Sequence, residues 1–127
     1  MLLNRGTFNG NRLLDEDSVA MMTRNQIGEV VVQTQTGPNP ALSRPFPLGA
    51  GRDKFGLGFQ ITVASQEERH LRSQGSYSWA GLANTHFWAD PEKEIAAVIL
   101  MQVWPFYDEE CIRVYRGFEE LIYQYLD

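Results

Sequence analysis

The chain has 127 residues, a formal net charge of −5, 43% apolar residues and one cysteine. This suits a single domain over residues 1–127 with its own core, and is too apolar for a disordered or fibrous chain. Its scattered Lys and Arg form no basic stripe for nucleic acid, Cys111 can form neither an internal disulfide nor, alone, a zinc site, and the apolar run 95–103 is shorter than the ~20 residues that span a bilayer.

Met1-Leu-Leu-Asn-Arg-Gly6 has the pattern of a last helical turn closed by a glycine C-cap. Asn9-Gly10 follows as a two-residue hairpin turn that tolerates positive φ. Asp15 is placed to cap a short helix from Glu16 to about Arg24, with Val19, Met22 and Met21 as its apolar face. Val30-Val31-Val32 suggests a short strand within 27–36. Residues 37–54 then form a long irregular segment with Pro38, Pro40, Pro45 and Pro47, in which Phe46 and Leu48 imply packing against a surface. Segments of this kind inside compact domains are usually functional, or a sign that something is missing.

Residues 55–63 alternate Leu57, Phe59, Ile61 and Val63 onto one face, as a strand does. Gly75 to Pro91 divides into a strand, a tight glycine-containing turn and a second strand. Asp90-Pro-Glu-Lys93 reverses the chain into a third strand, 94–103, apolar on both faces. Asp108 is placed to cap a final helix to about Leu126, with Glu109 and Glu110 complementing its dipole. Cys111, Ile112, Tyr115, Phe118, Ile122 and Tyr125 would form its buried face. The expected fold class is α+β: an antiparallel sheet of about 4–5 strands, a C-terminal helix on one face and a short N-terminal helix. The other sheet face has little in these residues to cover it.

Several short stretches, in order, carry a resemblance. Leu2 to Leu14, Phe55-Gly-Leu-Gly-Phe59, Trp79-Ala-Gly-Leu82 and Asp90-Pro91 resemble the C-terminal part of serine β-lactamase-like hydrolases. The likeness is greatest to class C β-lactamases and the family VIII carboxylesterases, which share the penicillin-binding-protein (transpeptidase) fold. It implies acyl transfer through a serine, a base and two backbone N–H donors aimed at an oxyanion. Carried onto this sequence, Leu82 supplies one donor through its backbone N–H, Gly81 lets substrate approach, and Trp79 and Ala80 contact substrate. Trp79 stands where β-lactamases carry a cation, so the resemblance favours small ester-type substrates. Ala80 departs from the more usual glycine.

The nucleophile motif Ser-x-x-Lys is missing, because Gly51 and Asp90 stand three residues before the only lysines, Lys54 and Lys93. The Tyr-x-Asn/Ser motif is missing as well. The chain therefore resembles the last third of a larger enzyme and is expected to be inactive alone, its partner being an upstream segment of that enzyme. Two rival readings remain: a non-enzymatic module that dimerises through the uncovered sheet face, or a small-ligand binder. His86, between apolar residues on a strand, is expected to be structural, and His70, among Glu67, Glu68 and Arg69, a solvated loop residue. No metal and no cofactor are expected. A cytoplasmic location is expected because no signal peptide opens the chain.

Overall fold

The computed structural model describes residues 1–63 and 71–126; the reading of His70 lies outside them. Its elements in chain order are β1 (Thr7–Phe8), β2 (Asn11–Arg12), α1 (Glu16–Met22), β3 (Lys54–Phe55), β4 (Gln60–Ile61), β5 (Tyr77–Gly81), β6 (Thr85–Asp90), β7 (Ile95–Ile99) and α2 (Glu109–Gln124). β1 and β2 pair alone, while β3 to β7 form one antiparallel sheet in sequence order.

The opening turn has the anticipated geometry with one change. The N–H of Gly6 donates to the Met1 carbonyl and that of Arg5 to the Leu2 carbonyl, as in a Schellman closure. The left-handed conformation is shared by Arg5 (φ 49°) and Gly6 (φ 93°). A methyl on Gly6 would lie 2.0 Å from the Leu14 carbonyl oxygen, so close approach, in addition to φ, demands glycine there. Asn9 and Gly10 turn the β1–β2 hairpin with φ of 48° and 78°.

α1 is shorter than its pattern suggested. Asp15 has the extended backbone of an N-cap but its side chain makes no capping hydrogen bond, and Met21 faces solvent while Val19 is buried. The 27–36 strand is not formed. Residues 27–34 are irregular, and Gln35 alone makes an isolated bridge, to Phe46. Val30 is exposed, so the β-branched run has no sheet to join and propensity alone does not hold it extended.

Residues 55–63 are not one strand but the two arms of a hairpin. Lys54 pairs with Ile61 and Phe55 with Gln60, and the reversal uses Gly58 at φ 102°. The apparent alternation spans that turn, leaving Leu57 exposed while Ile61 enters the core. Gly56 passes so close to α1 that an added methyl would meet the Met22 carbonyl at 2.1 Å.

The register places Trp88 and His86 on one sheet face, beside Ala97 and Ile99, with Tyr77 and Ala89 on the other. α2 covers the first face. Trp88, Tyr115 and Tyr123 form its core, flanked by Leu48, Leu71, Phe118 and Ile122 and by Ile95, Ala97 and Ile99 of β7. Asp108 accepts hydrogen bonds from the Glu110 and Cys111 amides, the predicted cap. The buried residue near the C-terminus of α2 is Tyr123, whereas Tyr125 follows the last helical residue and is 89% exposed. Cys111 is buried, and burial, then nearby Asp108, raises its thiol pKa, as suits a packing residue.

The opposite face is not bare throughout. Leu2, Leu3 and Phe59 pack on Ile61, Tyr77 and Ala89. Coverage stops toward β7, the last strand of the sheet, where Val98 and Leu100 are 58% and 77% exposed. Among the described residues, no helix is long and apolar enough to cross a membrane.

Candidate functional site

The free outer side of β5 is where the proposed site residues gather. β4 pairs only with Tyr77 and Ser78, so Trp79, Ala80 and Gly81 have a strand partner on the β6 side alone. Trp79 packs its ring edge-on to Phe55 and Phe46, with centroids 5.1 and 6.5 Å away. Ala80 lies opposite His86 and so turns its methyl to the α2 face. Gly81 lies opposite Thr85, and a methyl on it would come within 2.3 Å of Thr85 Oγ1. A side chain here would force the stiff χ1 of Thr85 to change.

Leu82, Ala83 and Asn84 link β5 to β6, and the turn's left-handed residue is Asn84 (φ 61°) rather than glycine. The Leu82 side chain is half-exposed, and its N–H donates to no acceptor among the described residues.

The irregular segment closes the other side of a cleft. Gln35 and Phe46 exchange backbone hydrogen bonds of 3.0 and 2.9 Å, and the Asn39 carbonyl accepts from Leu42 and Ser43. A methyl on Gly37 would lie 2.1 Å from the Ser43 carbonyl oxygen, so the loop doubles back tightly on itself. The corner after β7 joins in: the Phe106 amide donates to the Leu42 carbonyl, and the Arg44 amide to the Phe106 carbonyl. The resulting cavity of about 200 Å³ is bounded by Gln35, Thr36, Ser43 and Phe46, by Trp79 through Leu82, and by Phe106. Trp79, Ala80, Gly81 and Leu82 therefore share one cleft. The sequence offers residues 104–107 as a packed corner or a cleft rim, and Phe106 is both, whereas Phe46, expected only to pack on a surface, is the aromatic wall that sequence reading missed.

A second cavity, about 400 Å³, lies on the α2 face between residues 46–53, the sheet and the helix. Asp53 is buried against Arg52 and Gln60, and Gln60 also donates to the Leu48 carbonyl. Arg72 joins Glu119 and the Tyr115 hydroxyl, with its guanidinium 4.7 Å from the Trp88 ring centroid. Pairing with Glu119 and Tyr115 outweighs burial, which taken alone would lower the pKa, and keeps Arg72 charged.

His86 is 3% exposed and stacks on Tyr115 at 4.2 Å, and its Nε2 finds no hydrogen-bond partner among the described residues. Burial, aided by the charge of Arg72, lowers its pKa from 6.5 to about 4, so the ring is neutral in the fold at pH 7. These surroundings fit its expected structural role. Because the unfolded chain binds this proton at higher pH than the folded one, stability should fall as pH drops from about 6.5 to about 4. The loss over that window is roughly 3 kcal/mol at most. Urea unfolding across that range should show the loss in the wild type and a much flatter profile in His86→Gln.

Among the described residues, no group of three or more His, Cys, Asp or Glu is placed to hold a metal ion. Lys54 Nζ donates to the carbonyls of Gly28 and Val30, a structural use of one of the two lysines.

The family profile described as Beta-lactamase matches residues 9–120. The chain belongs to the beta-lactamase family. Protein Rv1367c of Mycobacterium tuberculosis strain H37Rv is 30% identical over 108 residues, and so is Uncharacterized protein MT1414 of strain CDC 1551. Each match covers 83% of this chain but only 25% of the relative. Among solved structures, unliganded simvastatin synthase (LovD) from Aspergillus terreus superimposes with a TM-score of 0.73 at 26% identity, over 98% of this chain and 32% of that one. A beta-lactamase (Mb2281c) from Mycobacterium bovis shares the fold, with a TM-score of 0.66 at 18% identity, over 98% of this chain and 40% of that one. This beta-lactamase-family chain thus spans about a quarter of its curated relatives and about a third of the synthase. In these relatives and structures the matched region is one part of a longer polypeptide.

Proposed function

We propose that this chain supplies one wall of a serine hydrolase active site of the esterase type. In this reading Leu82 N–H is one of two oxyanion-hole donors, Gly81 allows close substrate approach, and Trp79 and Ala80 contact the substrate. The serine, its lysine and the second-motif tyrosine come from polypeptide outside residues 1–127. The observation that supports it best is the Leu82 N–H, which donates to no acceptor among the described residues, on a residue lining an aromatic-walled cleft of about 200 Å³. A backbone donor with no partner among the described residues suits a charge that develops only in the transition state. The cleft wall formed by Phe46, Trp79 and Phe106 is uncharged, which favours small esters over carboxylate-bearing β-lactams.

The purified chain should not hydrolyse p-nitrophenyl esters or nitrocefin above background. Co-expression with the polypeptide encoded upstream, carrying Ser-x-x-Lys and Tyr-x-Asn or Tyr-x-Ser, should bring ester turnover that serine reagents abolish. Serine-reagent-sensitive turnover by the chain alone would overturn the assignment. A well-formed but inert assembly would favour a second reading, a dimerisation module. Exposed Val98 on β7, the last strand of the sheet, and Leu100 just after it support that alternative. Size-exclusion mass together with hydrogen-exchange protection of residues 96–100 distinguishes it.

A further inference from the structure

Asn84 is fully buried and sits at the left-handed position that ends the β5–β6 turn. Its Nδ2 donates to the carbonyls of Val103 (2.9 Å) and Pro105 (2.8 Å). Its Oδ1 accepts from the amides of Tyr107 (2.8 Å) and Asp108 (3.3 Å). Its own amide donates to the Gly81 carbonyl, and the Val103 amide donates to the carbonyl of neighbouring Ala83. One carboxamide thus uses both donors and its acceptor to fasten the 103–108 corner to the turn carrying Leu82. The corner is in turn hydrogen-bonded, through Phe106, to Leu42 and Arg44 of the loop across the cleft.

We infer that Asn84 is the positioning residue of this site: it holds the Leu82 N–H, the Phe106 wall and the 42–46 loop as a single mechanical unit. The inference rests on the reading of Leu82 N–H as an oxyanion donor. An oxyanion donor is effective only when pre-positioned, and a misplacement of about 1 Å can cost about 100-fold in rate. Asparagine suits the role on two counts. It tolerates positive φ, and it carries two donors and an acceptor on one short side chain. Aspartate would keep the acceptor but turn a charge toward two carbonyls, while glycine would keep the backbone and lose all four side-chain bonds.

The test compares the wild-type chain with Asn84→Gly and Asn84→Asp by amide hydrogen exchange, using β6 and β7 amides as an internal measure of folding. In Asn84→Gly the amides of Arg44, Phe106 and Tyr107 should exchange at least about tenfold faster while those of Trp88 and Ala97 keep wild-type protection. Asn84→Asp should fall between glycine and wild type. Acceleration confined to Tyr107, or wild-type exchange throughout Asn84→Asp, would overturn the inference. In an active assembly, Asn84→Gly should lower kcat about 100-fold with little change in KM, a split that mere loss of folded protein would not produce. An inactive wild-type assembly would instead refute the hydrolase reading, with the coupling still decided by the exchange data.

Discussion

Replacing Trp88 by alanine should lower the free energy of unfolding by about 3–5 kcal/mol, a large fraction of the roughly 5–15 kcal/mol of a domain of ordinary stability. Trp88 is completely buried at the middle of β6, in one cluster with Tyr115, Phe118, Ile122 and Tyr123 of α2. Tyr115 and Phe118 pack edge-on at 5.9 and 5.7 Å, and the Arg72 guanidinium lies over its face. Truncation would remove this apolar contact, leave a cavity and strip Arg72 of one of its two cation–π partners, Trp88 and Tyr115. Trp88→Phe should recover much of the loss, since a smaller ring still fills part of the space. Denaturant melts of the three proteins check this; a Trp88→Ala midpoint within error of wild type would show that α2 does not depend on this ring.

Asp90→Ala should be comparably damaging, at about 3–5 kcal/mol, but for an electrostatic reason. The fully buried carboxylate ends β6 and accepts from the amides of Ser73, Glu92 and Lys93 and from the Tyr123 hydroxyl. Removing it strands several donors and releases the end of α2 from the β6–β7 turn. Burial taken alone favours the protonated acid, but hydrogen bonds from Ser73, Lys93 and Tyr123 outweigh it and lower the pKa below 3.8. Its contribution is therefore present above the ordinary carboxylate range and lost as pH falls through the lowered folded value. Acid titration of stability should show this loss below the window assigned to His86, and Asp90→Ala should lack it.

The two replacements illustrate how far the sequence could be read. Trp88 and Asp90 lie in a stretch whose strand–turn–strand pattern was legible, and the Asp108 cap and α2 periodicity were equally plain. Those signals are local: alternation, turn chemistry and capping depend on residues a few positions apart. The errors fall where local pattern met a competing constraint. Residues 55–63 alternate correctly but straddle a reversal at Gly58, and the valines of 30–32 have strand propensity without a neighbouring strand. In α2, burial passed to Tyr123 because Asp90 awaits its hydroxyl, a partner 33 positions away.

Sequence alone determined the α+β class, the order of the main strands and the final helix. These follow from residue chemistry along a short span of chain. Only the tertiary structure decided that Phe46 and Phe106 wall the cleft, that Asn84 fastens its three sides together, and that His86 is held neutral beneath α2. Each of these depends on contacts between residues far apart in the chain. Their partners are set by how the sheet twists and packs, and no local periodicity encodes which distant carbonyl an asparagine will meet.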